Sequence, residues 1–353
     1  MARFRLLHAS DFHIAQTPWQ AGTPAHFWQP RWPRIMRQLS HDPSVLEAFA
    51  LWLWQNGGFG PNAVGGPRFD AVLLTGDMAA TGNKADLQAA HNFINLPPRL
   101  GSWLTMAEEP TLEFGAGHIK LLPGNHDRYR KASRPGGTEF DKLFRAAPRH
   151  YWRHKQGFAL VHTLKRGNAM VQIWAMDFTL RRGDPGVMHY FHPGKYGQGR
   201  VQRDILYGAK GSPAKPDATS LVQQSIDERV KAKKNKRELV TIWAMHFDPT
   251  STDPDLQLLD SRELIEATER AGVSAILCGH THESKVKALT STTTVFACGS
   301  TAQANNEQND FQVLGIDVPG AGGPATFRVT WYRYGAIRPH APPGFRRLMT
   351  VIQ

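Results

Sequence analysis

The strongest constraint on this chain is a recurrence: an apolar run short enough to be a buried strand, followed at once by side chains that bind protons or metals. The runs occupy residues 4–9, 69–75, 119–122, 239–245 and 273–278. Each is bounded by turn formers, as buried strands are. After them come Asp11-Phe12-His13, Gly76-Asp77, Gly124-Asn125-His126-Asp127, His246 and Gly279-His280-Thr281-His282. Helical patterns separate the runs, over 43–55, 83–94, 219–234 and 255–271, the last stopped by Gly272. Alternating strands and helices predict an α/β layer architecture. In such sheets ligands bind beyond the carboxyl ends of the strands, so five loops of this kind can meet at one place.

Late in the chain the helical patterns stop, and 285–289, 293–297, 311–317 and 326–334 read as successive antiparallel strands. Four stretches fit neither pattern: 15–39, with Trp19, Trp28, Trp32 and four prolines, then 95–117, 128–137 and 181–215. Loops this long in a compact domain carry function or lack order. No internal repeat or linker divides the chain. The expectation is one domain over 1–335 with insertions near 15–39, 95–117 and 181–215. Residues 336–353, with Pro339, Pro342 and Pro343, read as a tail over the surface.

Composition narrows the class. The chain has 353 residues, and 42 Lys+Arg against 30 Asp+Glu give a net charge of +12. Its apolar content is that of a globular protein, which excludes wholly disordered, collagenous and coiled-coil chains. No run approaches the ~20 apolar residues of a membrane span. The start, Met1-Ala2-Arg3-Phe4-Arg5, enters a strand without a leader-like apolar segment. The two cysteines, Cys278 and Cys298, are too few for a disulfide framework and fit a reducing, cytoplasmic setting. Basic residues cluster in 128–155, in 229–237, where six Lys/Arg meet no acid, and after Asp317. Such a field favours anionic ligands, nucleotide or nucleic acid among them. It equally describes a solvated surface.

Taken singly, the chemical motifs are weak. Asp-x-His is common in surface loops and helix caps, and an isolated His246 is most simply a satisfied histidine. Gly-His-Thr-His says more, because residues i and i+2 of an extended chain point the same way. Together the segments offer two carboxylates (Asp11, Asp77), an amide oxygen (Asn125) and four imidazoles (His13, His246, His280, His282). That mixed N/O set exceeds the need of one ion and suits two ions with a shared carboxylate. Without thiolates it is not a structural zinc site. The glycine-rich 57–60 and 65–66 contain no Gly-Lys-Ser/Thr and make no phosphate-binding loop.

The ordered set Asp-x-His, Gly-Asp, Gly-Asn-His-Asp, His and Gly-His-x-His, running from Asp11 to His282, resembles the calcineurin-like metallophosphoesterase superfamily. That resemblance implies a four-layer α/β/β/α sandwich of two mixed sheets flanked by helices. It implies that Asp11, His13 and His282 bind one metal, that Asn125, His246 and His280 bind the other, and that Asp77 bridges them. His126 would face the leaving group, oriented by Asp127. The metals would be two ions of Mn, Fe or Zn. Such a pair activates a bridging water and neutralises charge in an in-line displacement.

The implied activity is a metal-dependent phosphoesterase with a phosphate-ester substrate, a diester in preference to a monoester. The alternatives are a DNA-processing nuclease using the basic surface, a phosphomonoesterase or protein phosphatase, and a scaffold without turnover. Two departures from the family stand out. The separation of Asp11 from Asp77 leaves room for an insertion at 15–39, and His246 is followed by Phe247-Asp248-Pro249 where many small-molecule phosphodiesterases carry His-His-Pro.

Overall fold

The computed structural model describes residues 1–16, 41–57, 68–95, 119–131, 134–135, 138–145, 157–182, 188–190, 197–304, 308–320, 323–336 and 343–352. Two six-stranded sheets dominate it. In chain order their strands are β1 (Ala2–Ala9), β2 (Ala71–Thr75), β3 (Ile119–Leu122), β4 (Phe158–Arg166), β5 (Ala169–Met176) and β6 (Glu238–Ala244). Then come β7 (Ala275–Cys278), β8 (Lys285–Ala288), β9 (Thr294–Ala297), β10 (Asp310–Val318), β11 (Thr326–Ala336) and β12 (Pro343–Ile352). The first sheet runs β12-β11-β10-β1-β2-β3 and the second β8-β9-β7-β6-β5-β4. Both are mixed: β1, β2 and β3 are parallel, as are β5, β6, β7 and β9, and antiparallel strands complete each sheet.

Strand periodicity makes the layers. In β1, Phe4 and Leu6 face the second sheet while Leu7 and Ala9 face outward. Val171, Ile173, Val240, Ile242, Ala275, Leu277 and Phe296 answer them from the second sheet and close a dry core between the two. Helices α1 (Pro43–Gly57), α2 (Lys84–Asn95) and, past the short α3 (Asn125–Arg128), α4 (Thr138–Arg145) lie along the first sheet. Phe49, Leu53, Leu87, Phe93, Phe140 and Phe144 pack its outer face. On the far side α5 (Arg203–Tyr207), α6 (Leu221–Lys234) and α7 (Ser261–Ala271) cover Trp174, Trp243 and Ile276 of the second sheet. The result is the α/β/β/α sandwich. Among the described residues no helix is long and apolar enough to cross a membrane.

Several sequence expectations are corrected here. The hairpin β4–β5 falls where no strand is expected, because Gln172 interrupts the apolar run of β5; it is buried and donates to Glu228 at 2.7 Å. The late strands do not form one sheet: β8 and β9 extend the second, and β10 to β12 join the first beside β1. Helix α7 begins at Ser261, not at 255, since Asp260 adopts left-handed backbone (φ 61°) and Leu258–Leu259 pairs with Gly199–Arg200. Helix α5 lies within 181–215, a stretch read as irregular. Most of 15–39 and 95–117, with the aromatic segment 27–32, lies outside the described residues.

The expected C-terminal tail is instead β12, paired with β11 from Ala336↔Pro343 to Arg328↔Ile352. Phe345 anchors it, with ring centroids 4.9 Å from Phe311 and 6.2 Å from Phe49 of α1. Phe345→Ala should therefore lower the unfolding free energy by about 3 kcal/mol in urea titration, the ordinary cost of truncating a buried Phe. A tail lying loosely on the surface would show no change.

Candidate metal centre

The segments singled out in the sequence meet beyond the carboxyl ends of β1, β2, β3, β6 and β7. After β1, β2 and β7 the chain turns sharply. Of the non-glycine residues with left-handed backbone, Asp11, His13, Asp77, His280 and His282 belong to these turns, with φ between 50° and 74°. Asp and His tolerate that region better than most side chains, and its concentration here is strain held at a site. The turns brace one another. The Asp11 and His13 N–H groups donate to the carbonyls of Gly76 and Asp77 at 3.1 and 3.0 Å, and the Gly279 N–H donates to the carbonyl of His246 at 2.9 Å. Gly76 has φ 102°, and a Cβ there would stand 2.6 Å from His246 Nδ1, so no larger residue leaves the imidazole its place.

Two groups of facing electron-rich atoms result. In the first, His13 Nε2 lies 3.2 Å from His282 Nε2, and Asp11 Oδ1 lies 3.3 Å from His282 Nε2 and 3.9 Å from His13 Nε2. Asp11 Oδ1 is buried and takes no hydrogen bond among the described residues. In the second, His246 Nε2 lies 3.0 Å from Asn125 Oδ1, 3.1 Å from His280 Nδ1 and 3.2 Å from Asp77 Oδ2. Asp77 also comes within metal-sharing reach of His13 and His126, so its carboxylate stands between the two groups.

Carbonyl groups set the imidazole tautomers. His246 Nδ1 faces the Thr75 carbonyl at 2.8 Å, and His280 Nε2 faces that of Gly197 at 2.5 Å. Only protonated nitrogens make such contacts, so the opposite nitrogen of each ring turns a lone pair, or one further proton, to the centre. These anchors were not legible in the sequence, because every residue carries a carbonyl. His13 differs, for its Nδ1 is buried without a hydrogen bond among the described residues.

Electrostatics follows from two carboxylates sealed among imidazoles. Burial favours the neutral carboxyl, yet the ring of His282, for Asp11, and that of His246, for Asp77, outweigh it and hold both well below the usual range. Burial also opposes a charge on His246, but Asp77 and then Asp11 overcome it and lift that ring to about 9. His280 goes the other way, to about 3, through burial and the neighbouring His246. His13 is lowered by burial and by His126. A set of acceptor atoms about 3 Å apart with one proton among them fits a cation better than it fits that proton, and the donors suit two such ions.

His126 and Asp127 lie beside the centre. The His126 N–H donates to Asp77 Oδ1 at 2.8 Å, and its ring Nδ1 faces the Ala80 carbonyl at 2.8 Å. Burial lowers its proton affinity. The expected Asp127 support for this ring is corrected: the Asp127 carboxylate accepts from the backbone N–H groups of Met78, Ala79 and Gly124 at 3.2, 2.8 and 2.8 Å. It ties the loop after β2 to the loop after β3, and Ala80 orients the imidazole. Burial, then the Asp77 charge, pushes Asp127 up to about 7. The buried Arg128 fixes the same loop from below, through Asp141 of α4 at 2.9 Å and Asp177 beyond β5 at 2.6 Å.

A family model described as calcineurin-like phosphoesterase matches residues 4–284. No curated protein matches the chain. Among solved structures, a dimetal phosphatase from Danio rerio aligns over 99 % of this chain and 98 % of its own, at 10 % identity and a TM-score of 0.48. A predicted phosphoesterase from Streptococcus pneumoniae aligns over 100 % and 98 %, at 11 % identity and a TM-score of 0.34. A 5'-nucleotidase from Candida albicans aligns over 92 % of this chain and 50 % of its own, at 11 % identity and a TM-score of 0.45. At such identities and scores they bear on no activity of this chain.

Occupation of the second group requires His246 to give up its inward proton. The apparent affinity for Mn should therefore rise about tenfold per pH unit up to roughly pH 9 and then level off. Calorimetry in buffers of different ionisation enthalpy should show one proton released at pH 7.5. In the metal-free protein the same charge stabilises the fold below pH 6.5, and that contribution disappears as pH rises through about 9.

Proposed function

The chain belongs to the calcineurin-like phosphoesterase family, and from that premise we propose that it hydrolyses a phosphodiester of nucleotide-like character, with His126 supplying the proton to the departing oxygen. The observation that carries this reading is the double group of facing ligand atoms joined at Asp77. Its N/O donors suit two ions of Mn, Fe or Zn, Asp11 with His13 and His282 on one, Asn125 with His246 and His280 on the other, and Asp77 common to both. When bound, such a pair supplies an activated water and charge neutralisation for the phosphoryl oxygens.

The residues of the chain do the rest. Asn125 offers an oxygen without a charge, so with two cations bound only two carboxylates would offset them and the centre would stay positive towards a phosphate. The Nδ1 proton of His126 is held on Ala80, which leaves Nε2 to carry the proton that is transferred. Burial lowers the proton affinity of the ring. A phosphoryl anion beside Nε2 favours the cationic form, so the acid is readied by the ligand it serves. A diester is favoured because Arg128, the cation on the same loop, is already held by Asp141 and Asp177 and is not offered to the second charge of a monoester. The basic end of α6 gives no support to a nuclease track into this centre: it precedes the start of β6, and the centre lies past that strand's other end.

With Mn-loaded protein and Asp77→Asn as the blank, kcat/KM for bis(p-nitrophenyl) phosphate should exceed that for p-nitrophenyl phosphate. The reverse order would make the protein a monoesterase, and equal rates in the blank would deny that the centre does the chemistry. For the acid, His126→Gln should lower kcat by about 10²- to 10⁴-fold on a diester with an alkoxide leaving group. The loss should be far smaller with p-nitrophenolate, which departs without a proton. Equal losses on both would remove His126 from that role.

A further inference from the structure

A second polar site lies at the opposite end of the first sheet, on its outer face. Helix α1 covers Phe311 and Tyr332 through Trp52, with ring centroids 4.7 Å away in each case. Further along the same strands the sheet opens into a cavity of about 350 Å³, within the range of small-molecule sites. Four arginines line it, Arg3 and Arg5 of β1, Arg328 of β11 and Arg347 of β12, against one carboxylate, Asp317.

Strand register explains its shape. Arg5 lies opposite Gly315 of β10, and Gly315 lies opposite Arg328, so two guanidinium side chains flank a position without a side chain. A Cβ built on Gly315 would meet only Arg328, its carbonyl at 3.7 Å and its Cβ at 3.8 Å. The missing side chain is thus what makes the floor deep. Asp317 accepts from Arg3 at 2.7 Å and stands 3.5 Å from Arg328, which holds those two groups in place. Arg5 lies over the ring of Phe69, and Arg347 donates to Thr350 Oγ1 at 2.7 Å. Neither makes an ion pair among the described residues.

Arg5 and Arg328 stand on either side of Gly315 with no β10 side chain between them, so an anion seated over the glycine would meet both. Guanidinium forks are the groups that grip phosphate oxygens. We propose that this cavity is a binding site, separate from the metal centre, for a small anion carrying two adjacent phosphoryl groups, of the size of a nucleoside diphosphate. Its net positive charge of three, four arginines less Asp317, matches a diphosphate better than a single phosphate. About 13 Å of β1 separates Arg5 from Ala9, and Asp11 lies beyond, so a ligand of this size cannot bridge the two sites.

The test is calorimetric titration of the Mn-loaded protein with inorganic phosphate, pyrophosphate and ADP, on the wild type and two variants. Gly315→Leu fills the floor and keeps every charge; R5Q/R347Q removes the two guanidinium groups without ion pairs and keeps the shape. The expected result is pyrophosphate and ADP binding that each variant weakens at least tenfold, phosphate binding more weakly than either, and unchanged turnover of bis(p-nitrophenyl) phosphate. A stronger response to ADP than to pyrophosphate would identify the ligand as a nucleotide. Titrations identical in all three proteins would overturn the proposal by assigning the binding to the metal centre. Loss in R5Q/R347Q alone would overturn it too, by reducing the site to diffuse surface attraction.

Discussion

Two carboxylates shut away from water, Asp11 and Asp77, are what the rest of this structure depends on. A buried carboxylate is tolerated only when paired and hydrogen-bonded. Asp77 meets that condition through the His126 N–H at 2.8 Å and His246 Nε2 at 3.2 Å, and Asp11 Oδ2 accepts from the His280 N–H at 2.9 Å. Asp11 Oδ1, beside the His282 ring at 3.3 Å, takes no hydrogen bond among the described residues, and a cation would satisfy it. The two side chains therefore both gather the five loops and leave them short of positive charge.

Holding the loops in that arrangement has a cost. Five non-glycine residues of the centre sit in left-handed backbone, at roughly 1 kcal/mol each. Their sum is comparable with the whole net stability of an ordinary domain. It is offset by apolar layers on both faces of both sheets, so that no strand in the parallel core is free to relax its end. Arg128 extends the same logic underneath, since removing one partner of a buried ion pair costs about 3–5 kcal/mol. Rigidity in the sheets is what lets strain persist at their tips.

Legibility in the sequence follows from which interactions are local. The parallel strands β1, β2, β3, β6 and β7 and the ligand-bearing loops after them could be read, because each pairs a short apolar run with a side chain close by in sequence. The hairpin β4–β5 was hidden by one buried glutamine, and β12 by a proline-rich stretch whose last member, Pro343, opens the strand. The start of α7 was misplaced because left-handed backbone at Asp260 has no apolar signature. The role of Asp127 could not be assigned from its place beside His126, since adjacency in a short helix points neighbouring side chains apart. The carbonyl anchors at Thr75, Ala80 and Gly197 have no residue signature at all.

The two poles of the molecule answer different electrostatic demands. At the carboxyl ends of the parallel strands, buried acids and imidazoles must balance within a few ångströms, and cations there belong to the ligands. At the other pole nothing imposes that balance. Lys231, Lys233 and Lys234 can crowd the last turn of α6, where the helix dipole favours them, and Arg5 and Arg328 can face each other across Gly315. Crowding on an exposed helix end is relieved by water. The arginines around Gly315 are solvated too, but they ring one cavity, so a single anion seated there would meet several of them together. The basic groups described at this pole therefore differ in setting: the lysines of α6 stand on a solvated helix end, and the arginines over Gly315 converge on a cavity of a size for an anion.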